Sequence, residues 1–302
     1  MLKKVGSYLI QHRHYAIALA FMAALLPFLG FATAWISILI IAFVTLVKGG
    51  KEGLIIVLWV ALPALALFID GDISVLMDMV VFRVVVVWLL ALLLRHKASW
   101  TLTLQSCVVL SVLVIAGLHY YNPNIAGWWA AQLTRYWLNM SSQLNLSPNT
   151  DYLALIQRLA GVATGVLTVL MLSVDLCILL MARAWQAALY KPGGLRQELQ
   201  QLRMGWGQSV LLLSCTFAAS MGSALALDIL PVILMPFVLA ALSLIHVKLA
   251  SKKTVKLPLL TGMYLTFLLL MPYTIIPLAI IGVVDSWCDF RHLNTKAKVE
   301  MM

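Results

Sequence analysis

Charge is scarce in this chain. Lys, Arg, Asp and Glu make up 11% of its 302 residues, against roughly 25% in a soluble domain. Glutamate is rarest, occurring only as Glu52, Glu198 and Glu300, and none of these falls in mid-run in an apolar stretch. Cys107, Cys177, Cys215 and Cys288 stand apart without CxxC spacing, so neither a zinc ribbon nor a disulfide framework is suggested. The histidines are scattered, and GxxxxGK[ST], HExxH, GxSxG and GxGxxG are all missing, which removes the motif-bearing nucleotide, zinc-protease and serine-hydrolase classes. Catalysis, a metal and a cofactor are therefore not expected. A paired-aspartate intramembrane hydrolase would need Asp78 and Asp175 to face each other, without any flanking signature.

What fills the sequence instead is apolar. Hydrophobic residues are 63% of the chain, in runs at about 15–47, 54–69, 73–94, 100–118, 157–182, 208–227, 229–247 and 258–284. A helix crossing a bilayer needs roughly 17–25 residues. The first run, with Pro27 and Gly30 near its middle, has room for two short helices, giving nine candidate spans. The expected fold is all-α: one transmembrane domain over 1–302, a polytopic helical bundle of eight or nine spans in a lipid bilayer.

The net charge of +10 lies mostly in short basic segments between runs, not along one helix face. It reads as positive-inside topology and headgroup contact, and nucleic acid is not needed to explain it. The N-terminus, with Lys3, Lys4 and Arg13 before an uncleaved first span, belongs in the cytoplasm with Lys48 and Lys51, Arg95 and Lys97, Arg183 to Arg203, and Lys248 to Lys256. Strict alternation puts the polar tail, 285–302, outside, whereas its own cations favour the inside. Pro272 and Pro277 offer a break into two half-helices that returns it to the cytoplasm.

Two links are long enough for structure of their own. In the external segment 119–156, Ile125, Trp129, Leu133, Tyr136, Trp137 and Met140 recur at helical spacing, the pattern of a helix lying at the membrane surface as an anchor or as a lid over an external pocket. In the cytoplasmic loop 183–207, Pro192-Gly193-Gly194 separates a helix leaving the membrane from a second, amphipathic piece over 195–203 striped by Leu195, Leu199 and Leu202. That piece is a bare surface helix or a docking element.

An ionisable group inside a span costs about 2.5–3.5 kcal/mol on insertion scales, so each is a candidate. Asp78 and Arg83 are five residues apart, about 140° around an ideal helix, and need partners elsewhere. A contact between Arg83 and Asp175 neutralises both, as a structural pair or as part of a solute or proton site. Arg158 and Asp228 lie near expected membrane boundaries, where headgroup contact explains them. Ala16, Ala20 and Ala24 form an AxxxAxxxA face and Gly161 and Gly165 a GxxxG, spacings used for packing within a bundle or for docking another membrane subunit.

Three stretches, LVKGGKEGL at 46–54, RAWQAALYKPGGLRQELQQLR at 183–203 and IGVVDSWCDFR at 281–291, resemble the YybS-like family of bacterial membrane proteins. That family is similar in fold to the substrate-binding subunits of energy-coupling-factor vitamin transporters, which capture a ligand and dock on a shared energising module. The resemblance implies a bacterial inner membrane, a transport-related role and a docking use for the Ala16, Ala20, Ala24 face. The chain has more candidate spans than those subunits usually have, and no vitamin-binding motif, so the ligand stays unnamed. The other reading is a scaffold or regulator that recruits a partner through its basic loop.

Overall fold

The computed structural model describes residues 2–69, 75–144, 150–251, 257–288 and 290. Among them there is no strand. The α-helices in chain order are α1 (Leu2–Gln11), α2 (Arg13–Leu25), α3 (Ala34–Lys48), α4 (Gly50–Ile69), α5 (Val75–Lys97), α6 (Trp100–Tyr121), α7 (Ile125–Gln143), α8 (Thr150–Ala160), α9 (Ala163–Tyr190), α10 (Gly194–Gln200), α11 (Trp206–Ser220), α12 (Ala224–Ser251), α13 (Leu257–Leu269) and α14 (Met271–Cys288). The expected link at 70–72, residues 252–256 of the basic segment expected at Lys248 to Lys256, and residues 291–302 of the expected tail lie outside the described residues.

Three described helices are long and apolar enough to cross a bilayer: Trp100–Tyr121, Ala163–Tyr190 and Ala224–Lys248. Arg13–Leu25, Ala34–Lys48 and Tyr273–Cys288 are apolar but shorter. Outward faces tell the same story. Leu58, Leu62 and Leu65 on α4, Val109 and Leu113 on α6, and Val210, Leu213 and Phe217 on α11 are all exposed, at the i, i+3, i+4 spacing that a water-soluble helix turns inward. Contiguous apolar faces of this kind suit lipid, not water.

The chain packs as two compact units, residues 1–103 with 172–199 and residues 104–171 with 200–302. The first is organised around α3, whose Ile38, Ile40, Ile41, Ala42, Phe43, Val44 and Leu46 are buried on every side, as befits a helix apolar all round. The expected division of the first run is present: a 3-10 turn at Leu26–Leu29 opens with Pro27 and ends on Gly30 in the left-handed region at φ 86°. Ala16 and Ala20 are buried on α2, together with Ala23, while Ala24 is half-buried; the small-residue face serves packing inside the unit. The motif at 46–54 has a backbone reason. Gly49, at φ 111°, ends α3, and a Cβ on Gly53 would lie 1.9 Å from Thr45 Oγ1, so α4 can turn back closely along α3 only because glycine stands there.

The second unit is centred on α12, with Val232, Ile233, Phe237, Ala240, Ala241 and Leu244 buried and α11 and α14 packed against it. Here several boundaries differ from expectation. The run 208–247 turns at Met221–Ser223, not at 228: Gly222 takes φ 88° and the Ser223 hydroxyl caps α12 by accepting from the Ala226 N–H at 3.3 Å. Asp228 is therefore not a boundary residue but sits one turn inside α12, buried. The run from 157 is broken at Gly161 and Val162, with α8 before it and α9 after, so Gly161 lies in a turn and only Gly165 is on the long helix. The link expected to be external carries the helices α7 and α8: α7 has the expected stripe, with Tyr136 exposed and the rest half-buried, and Trp137 packs on Tyr152 of α8 at 4.5 Å between ring centroids. The last run breaks at Leu270, just before Pro272 in the first turn of α14, while Pro277 is accommodated within that helix. Asp285 and Ser286, placed in the polar tail by sequence, are buried near the end of α14, where Arg203 donates to the carbonyls of both at 3.0 and 3.2 Å. A cation on the last carbonyls satisfies groups that have no partner within the helix.

Within the loop 183–207, residues 183–199 fold back on themselves in the first unit. α9 runs on to Tyr190, Gly193 turns at φ 83°, and Arg183 holds Glu198 of α10 through Nε at 3.0 Å and through Nη2. The amphipathic piece is shorter than expected, ending at Gln200, and Leu202 is buried beyond it. Hydrogen bonds to charged groups are worth about 1.5–3 kcal/mol. Glu198→Ala should therefore speed tryptic cleavage at the exposed Arg196 roughly tenfold when opening precedes cutting; unchanged cleavage would mean that this pair does not hold α10.

Candidate functional site

Two polar sites are set among these apolar helices, one in each unit. In the first, Arg83 projects from α5 and Asp175 from α9. The guanidinium donates to the same carboxylate oxygen, Oδ1, through Nε at 2.8 Å and through Nη2. Because both bonds converge on Oδ1, the pair is not the two-pronged fork that guanidinium and carboxylate can make, and Arg83 does not occupy Oδ2. The Asp175 side chain is 4% exposed and that of Arg83 22%, so the accessible side of the pair is the cation. Asp78 lies on α5, and its side chain is outside the described residues.

Depth along the helices follows from hydrogen bonds at one end of the unit. The carbonyl of Leu46, in the last turn of α3, accepts from Arg95 Nη1 of α5 and from Gln186 Nε2 of α9 at 2.8 Å. Gln186 in turn accepts from Arg183 Nη1. The ends of α3 and α5 and the polar extension of α9 thus share one level. From Arg95 back to Arg83 is twelve residues of α5, and from Gln186 back to Asp175 eleven of α9, about 16–18 Å at 1.5 Å per residue. That is about half the thickness of a 30 Å hydrocarbon layer.

The second site was missed at the level of sequence. Asp228 on α12 accepts the Gly165 N–H of α9 on Oδ1 at 2.7 Å, and its Oδ2 lies 3.0 Å from Nε2 of His119 in the last turn of α6. Gly165 is the third residue of α9, so its N–H has no partner within the helix, and a carboxylate there also meets the positive end of the helix dipole. A Cβ on Gly165 would lie 1.8 Å from the Asp228 carbonyl oxygen; the close approach needs glycine. Gly161 makes no such approach, its nearest neighbours being 3.6 Å away. Beside this joint, Trp129 Nε1 of α7 donates to Thr164 Oγ1 at 3.0 Å. No sequence signal links His119 to Asp228: the histidine sits just past an apolar run, and its partner is 109 residues away.

Among the described residues no group of His, Cys, Asp and Glu is arranged to hold a metal ion. Among the described residues the four cysteines form no disulfide. No family model, curated protein or solved structure matches the chain, so the resemblance noted above rests on its three short stretches alone.

Proposed function

We propose that this chain is a polytopic inner-membrane protein of eight or nine spans, with its N-terminus in the cytoplasm, that binds a small solute and takes part in its transport in the manner of a transporter substrate-binding subunit. The observation that carries this reading is the Arg83–Asp175 pair about halfway along helices whose outward faces are apolar. A buried ion pair is poor value for stability, since apolar residues of similar volume serve as well or better, and ionisable groups at such depth mark solute, ion or proton paths by default. Arg83 is the more accessible partner, so the solute presents an acceptor such as a carboxylate to the guanidinium, with Asp78 a further candidate on α5. The meeting of α3, α5 and α9 ends at Leu46 supports the topology, because 48–51, 95–97 and 183–203 are segments whose cations belong on the cytoplasmic side.

Native mass spectrometry of protein extracted gently from its own membrane tests this. A stoichiometric non-lipid molecule is expected on the wild type and should be absent from a folded Arg83→Leu, Asp175→Leu double variant. A wild type carrying only lipids, or a double variant that keeps the molecule, contradicts the proposal. The exposed Lys191 and Arg196 favour a second reading, a scaffold recruiting an acidic partner; in that case a copurifying protein, lost when both are made alanine, replaces the small molecule.

A further inference from the structure

We propose that His119 and Asp228 form a proton-binding site that fastens the joint between α6, α9 and α12 when occupied and loosens it when empty. With Asp228 ionised and its Oδ1 accepting the Gly165 N–H, the contact of Oδ2 with His119 has the imidazole carrying its hydrogen on Nε2 and donating it. In the neutral ring Nδ1 then holds the lone pair. A proton taken from water at Nδ1 turns the neutral hydrogen bond into an ion pair, and charge-assisted bonds are roughly twice as strong. Access runs through the histidine, whose side chain is 14% exposed against 3% for Asp228.

The consequence reaches beyond one contact. His119 stands at the end of α6 and Asp228 near the start of α12, while Gly165 and Thr164 lie in the first turn of α9. Thr164 also receives Trp129 of α7, which ties the α7–α8 hairpin to the same spot. Proton occupancy at His119 thus sets how firmly this end of the unit is held, a control separate from the Arg83–Asp175 pair.

Other titratable groups nearby are exposed or otherwise engaged. Tyr120 and Tyr121 on α6, Arg135 and Tyr136 on α7, and Tyr152 and Arg158 on α8 are exposed, and the Cys215 thiol on α11 donates to the Ala226 carbonyl. The described first turn of α9 carries no titratable side chain. His246 lies eighteen residues along α12 from Asp228, about 27 Å. Asp285 on α14 is one turn past Gly282, which approaches Phe237, itself about 13 Å along α12 from Asp228.

The test is thermal unfolding in lipid nanodiscs between pH 5 and 8, where histidine changes charge, for the wild type and His119→Gln. The protonated pair contributes stability in acid that is lost as pH rises. The wild-type Tm should therefore fall over this range by roughly 2–4 °C more than that of His119→Gln. Every other group is common to both proteins, so the difference isolates His119. Parallel profiles overturn the proposal. If the variant does not fold, hydrogen exchange of wild-type residues 163–168, corrected for the intrinsic pH dependence of exchange, decides instead: protection that rises in acid supports the site, and flat protection overturns it.

Discussion

Asp175→Ala is expected to cost about 3–5 kcal/mol, because it leaves the Arg83 guanidinium of α5 in mid-bundle without its counter-charge. Arg83→Ala should cost a similar amount by stranding the carboxylate, which is the more deeply buried partner. The informative variant carries both Arg83→Leu and Asp175→Leu. Replacing a buried pair with apolar residues is often neutral or stabilising by about 1–4 kcal/mol, so the double variant should recover most of what either alanine loses. Equilibrium unfolding in mild detergent titrated with a denaturing one measures all three. A double variant as unstable as the singles would make the pair a structural requirement and would weaken the case that it is kept for a solute.

Gly165→Ala is the second large effect. The added methyl would stand 1.8 Å from the Asp228 carbonyl oxygen and 2.9 Å from its carbon, both backbone atoms that cannot swing aside. The start of α9 and α12 must separate, with an overpacking cost of about 1–3 kcal/mol and a stretched Gly165 N–H to Asp228 bond worth about 1.5–3 kcal/mol more. A loss of about 3 kcal/mol or greater is expected. Gly161→Ala, whose methyl would meet nothing nearer than 3.6 Å, should stay within about 0.5 kcal/mol. The two glycines share one motif in sequence and have unlike jobs in the fold. Unfolding of the two variants side by side checks this, and equal losses would mean that the joint at Asp228 is looser than its geometry requires.

That contrast shows what the sequence could and could not carry. Arg83 and Asp175 were legible as partners because few ionisable groups fall within apolar runs, and a charge in lipid has few ways to be neutralised. The divisions at Pro27–Gly30 and Pro192–Gly194 were legible because proline and glycine state their backbone needs locally. The turn at Met221–Ser223 was not, since hydropathy stays high straight through it and a single Gly222 is a weak stop signal; the error displaced Asp228 from a helix interior to a boundary. The start of α9 was hidden for the same reason. Asp285 was assigned to the tail because a carboxylate near a chain end is ordinarily solvated, whereas α14 runs past it and Arg203 covers the helix end. His119 with Asp228 is a tertiary fact: 109 residues separate them, and no local pattern encodes the meeting of three helix segments at one carboxylate.

The central claim is that residues 1–103 with 172–199 lie across a bilayer with the Arg83–Asp175 pair at mid-depth. Single cysteines introduced at Phe31, Lys48, Val85, Leu89, Lys97 and Lys191, after Cys107, Cys177, Cys215 and Cys288 have been replaced, can be probed with a membrane-impermeant thiol reagent in right-side-out and inverted vesicles. Lys48, Lys97 and Lys191 belong to the end marked by Leu46, Arg95 and Gln186 and should label from one side only, with Phe31 labelling from the other. Val85 and Leu89, which lie two and six residues past Arg83 on α5 and are 38% and 44% exposed in the protein alone, should label from neither side until the membrane is dissolved. Reaction of Val85→Cys with the reagent in sealed vesicles, or labelling of Phe31→Cys and Lys48→Cys from the same side, would contradict the account.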